Sequence, residues 1–107
     1  MAGECIQVIT TTGSELEAER IAGTLVERGL VACAQVEGPL TSRYRWRGEI
    51  ESSREWRCTA KTVAALYPRV EAAIRELHSY EEPEIVALGI LAGSAGYLRW
   101  VEESVEG

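Results

Sequence analysis

The side chains best suited to bind a ligand lie within residues 78–84, which read His-Ser-Tyr-Glu-Glu-Pro-Glu. A neutral imidazole and carboxylate oxygens are common ligands of divalent metals. We therefore predict a metal site that uses His78, Glu81 and Glu84. His78 is the only histidine of the chain, and one histidine makes a weak metal site. Its alternative role is to cap the C-terminal end of a helix, where a cationic side chain favours the helix dipole.

Two more polar side chains extend this prediction to a pocket for a small ligand. Lys61 could neutralise an anion or a carboxylate, and the Tyr80 hydroxyl could orient the bound group. A solvated lysine, and a tyrosine that packs its ring and keeps its hydroxyl satisfied, are the alternatives. The sequence leaves both interpretations open.

Patterns elsewhere in the chain predict the elements that must position these groups. Residues 5–11 are apolar and β-branched, which predicts a first strand. Ser14 and Glu17 have the spacing of a capping box at the start of a helix. Apolar residues then recur with helical periodicity as far as Gly29, which predicts that the helix ends there.

A long hairpin follows. Residues 30–46 predict one long bent strand, and residues 50–62 predict its antiparallel partner. A turn at residues 47–49 joins the two strands. Alternation in the second strand predicts one face with Trp56, Cys58 and Ala60 and the other face with Arg57, Thr59 and Lys61.

The last third of the chain predicts a helix, a strand and a further helix. The second helix covers residues 66–77, with Pro68 in its first turn, and ends near His78. Residues 84–91 are nearly all apolar, which is typical of a strand covered on both faces. Ser94 is the predicted cap of the last helix.

This order of elements predicts an α+β fold in one domain, residues 1–107. The order is β-α-β-β-α-β with an extra C-terminal helix. Right-handed connections turn it into a ferredoxin-like sandwich, in which helices cover one face of an antiparallel sheet. The other sheet face and the long hairpin lack a cover in this arrangement.

Three large aromatic side chains on the hairpin suggest what supplies that cover. Tyr44, Trp46 and Trp56 would be exposed on a single chain, and exposed aromatic strands favour association. We therefore predict that they form the interface of a homo-oligomer.

Composition excludes several classes of function. The net charge of −6 argues against binding to nucleic-acid backbones or anionic membranes. No stretch reaches the roughly 20 apolar residues that cross a bilayer, and residues 1–12 lack the features of a signal peptide, so we expect a cytoplasmic protein. Cys5, Cys33 and Cys58 are widely spaced, and we expect them to be reduced and mostly buried. No catalytic motif is present, and we predict that the protein is not an enzyme.

Five ordered motifs resemble the CutA family of divalent cation tolerance proteins, and together they cover nearly the whole chain. They are Gly29-Leu30-Val31-Ala32-Cys33-Ala34, Ser42-x-Tyr44-x-Trp46-x-Gly48-x-Ile50-Glu51, Lys61-Thr62, His78-x-Tyr80-Glu81-x-Pro83-Glu84 and Tyr97-Leu98-x-Trp100-Val101.

The resemblance implies a homotrimer of ferredoxin-like subunits that binds divalent metal ions, copper (Cu²⁺) especially. It also implies kinship with the PII signalling proteins. Some similar members linked to copper carry Cys at the position of Thr10 and His at the position of Leu77, and this chain has neither ligand.

Two other functions stay as alternatives. One is a PII-like trimeric sensor that binds a small anionic ligand at a subunit interface, through Lys61, arginines and Tyr80. The more remote one is an RNA-binding module, because RRM domains share this strand order and Arg43, Arg45 and Arg47 interleave with aromatic residues. The acidic charge and the lack of an RNP motif argue against RNA binding. The sequence does not identify a protein partner.

Overall fold

The computed structural model describes residues 4–106 and has the predicted α+β architecture. Met1–Gly3 and Gly107 belong to the predicted domain but lie outside the described residues. The strands are β1 (Cys5–Thr12), β2 (Cys33–Trp46), β3 (Glu49–Val63) and β4 (Ile85–Gly89). The helices are α1 (Glu15–Glu27), α2 (Tyr67–Leu77) and α3 (Ala95–Glu103), and a 3₁₀ turn at Ala64–Leu66 precedes α2.

The four strands form one antiparallel sheet in the order β2-β3-β1-β4. β1 is therefore an inner strand, paired on both sides, and Thr10 lies opposite Cys58 on β3 and Ile85 on β4. The ferredoxin-like order predicted from the sequence is confirmed.

The core lies between one face of the sheet and helices α1 and α2. Strand residues on this face are buried, as the alternation predicted for Cys58 and Ala60. The helices meet them with apolar side chains at helical spacing. The buried helix residues of this core are Ile21, Ala22, Leu25, Val70, Ala73 and Ile74.

The hairpin has a tighter turn than the sequence predicts. Glu49 pairs with Trp46, so only Arg47 and Gly48 form the turn, with φ angles of 53° and 83°. Two residues with positive φ match the right-handed twist of the strands that they join, which explains why a three-residue turn is not needed. The predicted bend in β2 is a bulge between Glu37 and Leu40.

The prediction that the last strand is covered on both faces is wrong for the single chain. β4 has five residues and lies at the edge of the sheet. Val86 and Leu88 point away from the core and are 44% and 50% exposed. An apolar run reports a tendency to be buried, but it does not say which part of the chain, or which other chain, provides the cover.

The three hairpin aromatics have different surroundings. Tyr44 and Trp46 are 42% and 50% exposed, as predicted. Trp56 is only half-buried and packs closely over Gly38 at the bulge, where an added Cβ would lie 2.5 Å from Trp56 Cδ1. The structure thus gives Trp56 a packing role within its own chain.

No helix within residues 4–106 is both long enough and apolar enough to cross a membrane.

Candidate functional site: an acidic cleft beside the hairpin

The imidazole of His78 is buried at the C-terminal end of α2, where His78 is the cap residue. The backbone N–H of Tyr80 donates to Nδ1 at 3.1 Å, so the ring proton is on Nε2. Nε2 lies 2.8 Å from the carbonyl oxygen of Thr11, to which it donates. Both ring nitrogens therefore have partners, and a metal could bind either one only by displacing a hydrogen bond.

Glu17, in the first turn of α1, binds the segment that follows α2. Its carboxylate accepts from the Ser79 backbone N–H at 2.8 Å and from the Ser79 hydroxyl at 2.9 Å. Only half of the predicted capping box forms: the Ser14 hydroxyl accepts from the Glu17 N–H at 3.1 Å, but the Glu17 carboxylate bonds to Ser79 instead. The first turn of α1 thereby holds the segment that leads into residues 80–84.

A cleft of about 760 Å³ lies between this segment and the hairpin. We call it the acidic cleft. One wall is formed by β2 and β3 of the hairpin, and the other by residues 80–84, which are irregular. Its charged lining residues are Arg43, Glu51, Glu55, Glu81, Glu82 and Glu84.

Tyr80 and Glu55 join the two walls. The Tyr80 hydroxyl donates to Glu55 Oε2 at 2.8 Å. Burial raises the pKa of Tyr80, and the hydrogen bond to the Glu55 carboxylate raises it further, so the phenol stays protonated. The ring of Tyr80 also packs against His78, with 4.8 Å between the ring centroids. Tyr80 thus has both a satisfied hydroxyl and a packed ring.

The cleft has more negative charge than the structure neutralises. Arg75, which is outside the cleft, pairs with Glu82 at 3.3 Å. The other four glutamates of the cleft form no ion pair within residues 4–106. Glu55 is the most deeply placed of them, at 9% exposure, and its Oε1 has no hydrogen-bond partner in the same part of the chain. Charges of one sign that line a cleft attract ligands of the opposite sign, so this arrangement favours a cationic ligand.

The structure brings only some of the predicted site residues together. Tyr80, Glu81 and Glu84 line the cleft, whereas His78 lies behind it with both nitrogens bonded. In the described part of the chain, no group of three or more His, Cys, Asp or Glu side chains is arranged to hold a metal ion.

Lys61 does not lie in a pocket with Tyr80, in contrast to the prediction. Its Nζ donates to Gln35 Oε1 at 3.3 Å, and it does not line the cleft. Lys61 is six positions along β3 from Glu55, or about 20 Å at the usual strand rise of about 3.3 Å per residue. Glu55 is in the middle of β3, whereas Lys61 is near its C-terminal end.

The sequence did not single out Glu55, and it singled out Glu17 only as part of a capping box, not as a partner of Ser79. Glutamates are frequent on exposed strands and in first helical turns, so neither has a distinctive local signal. The Tyr80–Glu55 and Ser79–Glu17 contacts join residues 25 and 62 positions apart. The alternating pattern of β3 does place Glu55 on the face opposite to Cys58, but it does not reveal the cleft.

The cysteines are free, as expected, and none lines the cleft. Cys5 and Cys58 are buried, and burial raises the pKa of Cys58 to about 11. Cys33 is half-buried, with Sγ 3.6 Å from the Tyr97 hydroxyl. The cleft therefore offers oxygen donors and aromatic rings but no thiol.

Comparison with known proteins gives the family. The model of the family described as "CutA1 divalent ion tolerance protein" matches residues 6–104. The chain belongs to the CutA1 family. That description names tolerance of divalent ions and no reaction.

CutA1 relatives match in both sequence and structure. A "Divalent-cation tolerance protein CutA" from Thermus thermophilus is 41% identical over 97 residues, which cover 91% of this chain and 94% of the relative. The mouse "Protein CutA" is 35% identical over 97% of this chain, which spans 59% of that longer protein.

Solved CutA1 structures have the same fold. The Thermus thermophilus structure has a TM-score of 0.93 at 39% identity and covers 95% of this chain and 99% of its own. CutA1 from Oryza sativa has a TM-score of 0.95 at 28% identity, and the match covers 98% of this chain and 96% of the Oryza sativa chain.

Proposed function

We propose that this CutA1-family protein binds divalent cations and acts in cation tolerance as a homotrimer. The observation that carries the proposal is the acidic cleft, in which four glutamates have no ion-pair partner within residues 4–106. Divalent cations are the charge type named in the family description. Glu81 and Glu84 are the proposed ligands, together with His78 if a cation displaces one of its hydrogen bonds.

We propose that the divalent cation is copper. Cu²⁺ has the highest affinity of the common divalent first-row metals for oxygen and nitrogen donors, and carboxylates alone can bind it weakly. Recruitment of His78 would strengthen binding, because imidazole is a better copper ligand than a carboxylate.

The exposed apolar side chains support the trimer. Val86, Leu88, Tyr44 and Trp46 are each at least 42% exposed in the single chain. An edge strand with such side chains is a surface on which other copies of the chain can pack. Residues beside the cleft would then approach a neighbouring subunit.

Native mass spectrometry of metal-stripped protein tests the proposal, because each spectrum counts both chains and ions. We expect a trimer that takes up Cu²⁺ to a defined stoichiometry, with Zn²⁺ and Mg²⁺ titrated in parallel. Uptake should fall in Glu81→Gln and Glu84→Gln and should be unchanged in Glu19→Gln, which removes an exposed glutamate of α1. A protein that takes up none of the three ions would refute metal binding.

His78→Ala separates the two roles of this histidine. If His78 ligates copper, the variant binds Cu²⁺ more weakly but assembles normally. Because it also loses the bonds to Thr11 and Tyr80, circular dichroism must first show that it is folded. Unchanged copper affinity in a folded variant would remove His78 from the site.

A sensor of a small molecule is the second candidate function. The volume of about 760 Å³ supports it, because ligand pockets usually measure about 300–1,000 Å³. An anionic ligand fits this cleft poorly, since five glutamates and a single arginine line it. The same negative charge opposes RNA binding, although Arg43, Arg45 and Arg47 alternate along the hairpin.

A further inference from the structure

We infer that the hairpin of a neighbouring subunit completes the acidic cleft, by placing Arg45 and Arg54 of one of its faces against the hairpin wall of the next copy. The inference rests on the homotrimer of the proposed function and deepens it, because it names the two surfaces that meet. Three observations carry it: the opposite charges of the two hairpin faces, the absence of partners for both sets of charges in the described chain, and the way in which unlike surfaces assemble.

One face of the hairpin is basic. In the ladder between β2 and β3, Arg45 lies opposite Ile50 and Arg54 lies opposite Thr41. Residues that pair across a ladder share a face, and successive residues of a strand alternate between faces. The face that contains both arginines, which we call the arginine face, has cations and no carboxylate. Its members are Thr41, Arg43, Arg45, Ile50, Ser52 and Arg54.

The opposite face of the same hairpin is acidic and aromatic. The ladder places Tyr44 opposite Glu51 and Trp46 opposite Glu49 on this face, with Glu55 farther along β3. Tyr44, Trp46, Glu51 and Glu55 form the hairpin wall of the acidic cleft. The two faces of one hairpin are therefore complementary in charge, and two copies attract each other where the arginine face of one meets the cleft of the other.

Both sets of charges lack partners within residues 4–106. Arg45 and Arg54 are exposed and form no ion pair there, and neither lines the cleft of its own chain. Glu51 and Glu55 form no ion pair there either. In contrast, Arg57 of the same strand pairs with Glu37 at 3.2 Å. The unmatched charges of the hairpin are thus of both signs and lie on opposite faces of it.

A guanidinium also suits the aromatic part of the cleft wall. Arginine stacks on aromatic faces within about 6 Å of the ring centre. The guanidinium of Arg47 lies 5.3 Å from the centre of the Trp46 ring, so this ring already has such a contact within its own chain. The half-exposed rings of Tyr44 and Trp46 would be covered by the neighbour's arginine face.

The proposed contact joins two different surfaces of one chain, which makes it heterologous. Heterologous contacts close into rings when the rotation between copies permits. In a ring of three, each subunit gives its arginine face to one neighbour and its cleft to the other. Glu81 and Glu84, on the opposite wall, stay available as the proposed metal ligands.

Charge reversal on the arginine face tests the inference. We expect the trimers of Arg45→Glu and of Arg54→Glu to dissociate at a protein concentration at least about tenfold higher than wild type, because like charges then face each other. Arg69→Glu is the control of equal charge change, since Arg69 is exposed on α2 and does not belong to the hairpin. Its dissociation should stay within about twofold of wild type. Sedimentation at one ionic strength measures all three, after circular dichroism has shown that they are folded.

Cross-linking locates the contact without disturbing its charge. Arg45→Lys and Arg54→Lys keep the cation and add an amine, which a carbodiimide joins to a carboxylate in direct contact with it. Chains with ¹⁴N and ¹⁵N labels, assembled together from urea, distinguish links between copies from links within one. We expect mixed-label links from the new amines to Glu51 or Glu55, and no such links from the amine of Arg69→Lys.

Two results would refute the inference and keep the trimer: equal dissociation of Arg45→Glu, Arg54→Glu and Arg69→Glu, or mixed-label links that join the hairpin amines only to carboxylates outside the cleft. A monomeric wild type would refute both the trimer and the inference. Uptake of Cu²⁺ in native mass spectra is measured independently, so metal binding stands or fails by itself.

Discussion

Two buried threonines differ in whether the side-chain hydroxyl has a hydrogen-bond partner, and this difference should affect stability. Thr62 Oγ1 donates to the Leu30 carbonyl at 2.7 Å, and Thr62 is fully buried. Thr10 is 1% exposed, but its Oγ1 has no hydrogen-bond partner within residues 4–106. One hydroxyl is therefore satisfied and the other is not, at nearly equal burial.

Replacing each threonine by valine should change stability in opposite directions. Thr10→Val removes an unsatisfied polar atom at constant shape, and we expect the free energy of unfolding to rise by about 1 kcal/mol. Thr62→Val leaves the Leu30 carbonyl without its donor and should lower that free energy by about 1–2 kcal/mol. Urea unfolding at one protein concentration measures both changes. If Thr10→Val proved as harmful as Thr62→Val, the hydroxyl of Thr10 would have a partner that the structure does not contain.

The raised pKa of Tyr80 should make the folded protein less stable at alkaline pH. Burial and Glu55 raise the pKa of Tyr80 above the unfolded value of about 10. The folded state therefore holds this proton more tightly. The resulting stabilisation is complete below about pH 10 and is lost as the pH rises beyond it.

Tyr80→Phe isolates this contribution. We expect the stability difference between wild type and Tyr80→Phe to shrink as the pH rises from about 9 to about 11. The buried thiol of Cys58, with a raised pKa of about 11, titrates in both proteins and cancels in the difference. Urea midpoints of the two proteins across this pH range provide the measurement, and a constant difference would contradict the proposed Tyr80–Glu55 coupling.

The sequence revealed the chemistry of single residues better than their partners. Tyr80 and Glu81 were selected because of their types and their place after a helix, and they line the cleft. His78 occupies the cap position of α2, but its ring bonds to Thr11 and Tyr80 and not to the carbonyls of the helix end. Glu55 was missed because its importance comes from a contact with a residue 25 positions away, which no local pattern encodes.

At the scale of elements, the bulge in β2 controls how the hairpin packs. Gly38 lies at this bulge with φ of 155°. An added Cβ would lie 2.5 Å from Trp56 Cδ1 and 3.1 Å from the backbone oxygen of Glu55. The close approach of these two strands therefore depends on the missing side chain.

Gly38→Ala should destabilise the protein by about 2 kcal/mol or more, because Trp56 or the backbone of β3 must move. Gly23→Ala is the matched control: its Cβ meets nothing within 4 Å, and alanine favours the helix by about 0.5–1 kcal/mol. Urea unfolding of both variants provides the comparison. Equal effects would mean that the packing of Trp56 over Gly38 does not matter for stability.

The elements themselves were predictable where local signals agree. The apolar spacing of α1, with Ser14 before it and Gly29 after it, gave a helix that ends at Glu27, close to the expected limit. The last strand is shorter than the apolar run suggested: it ends at Gly89, and after it only the Ile90 N–H still donates to β1, at the Cys5 carbonyl. Apolar composition alone cannot tell where pairing stops.

At the scale of the whole molecule, the hairpin gives the single chain an elongated shape of 47 × 25 × 21 Å. A hairpin that carries exposed aromatics beyond the core has little to pack against within its own chain. The proposed trimer would give it neighbours.

Trp46→Ala should weaken the proposed trimer, because it removes a large apolar side chain that is half exposed in the single chain. We expect a lower urea midpoint at fixed protein concentration, and light scattering should detect dissociation on dilution. Leu16→Ala serves as the control, since Leu16 is 78% exposed and belongs to α1, not to the hairpin. A wild-type protein with a monomeric mass at micromolar concentration would refute the trimer.

Trp46 also gives the acidic cleft a natural optical reporter. Its indole ring is half exposed in the wall of the cleft, whereas the chain's other tryptophans, Trp56 and Trp100, do not line it. Indole emission depends on the polarity and charge around the ring. A cation that enters the cleft would therefore change the intrinsic fluorescence of the protein, and occupancy could be followed without attaching a dye.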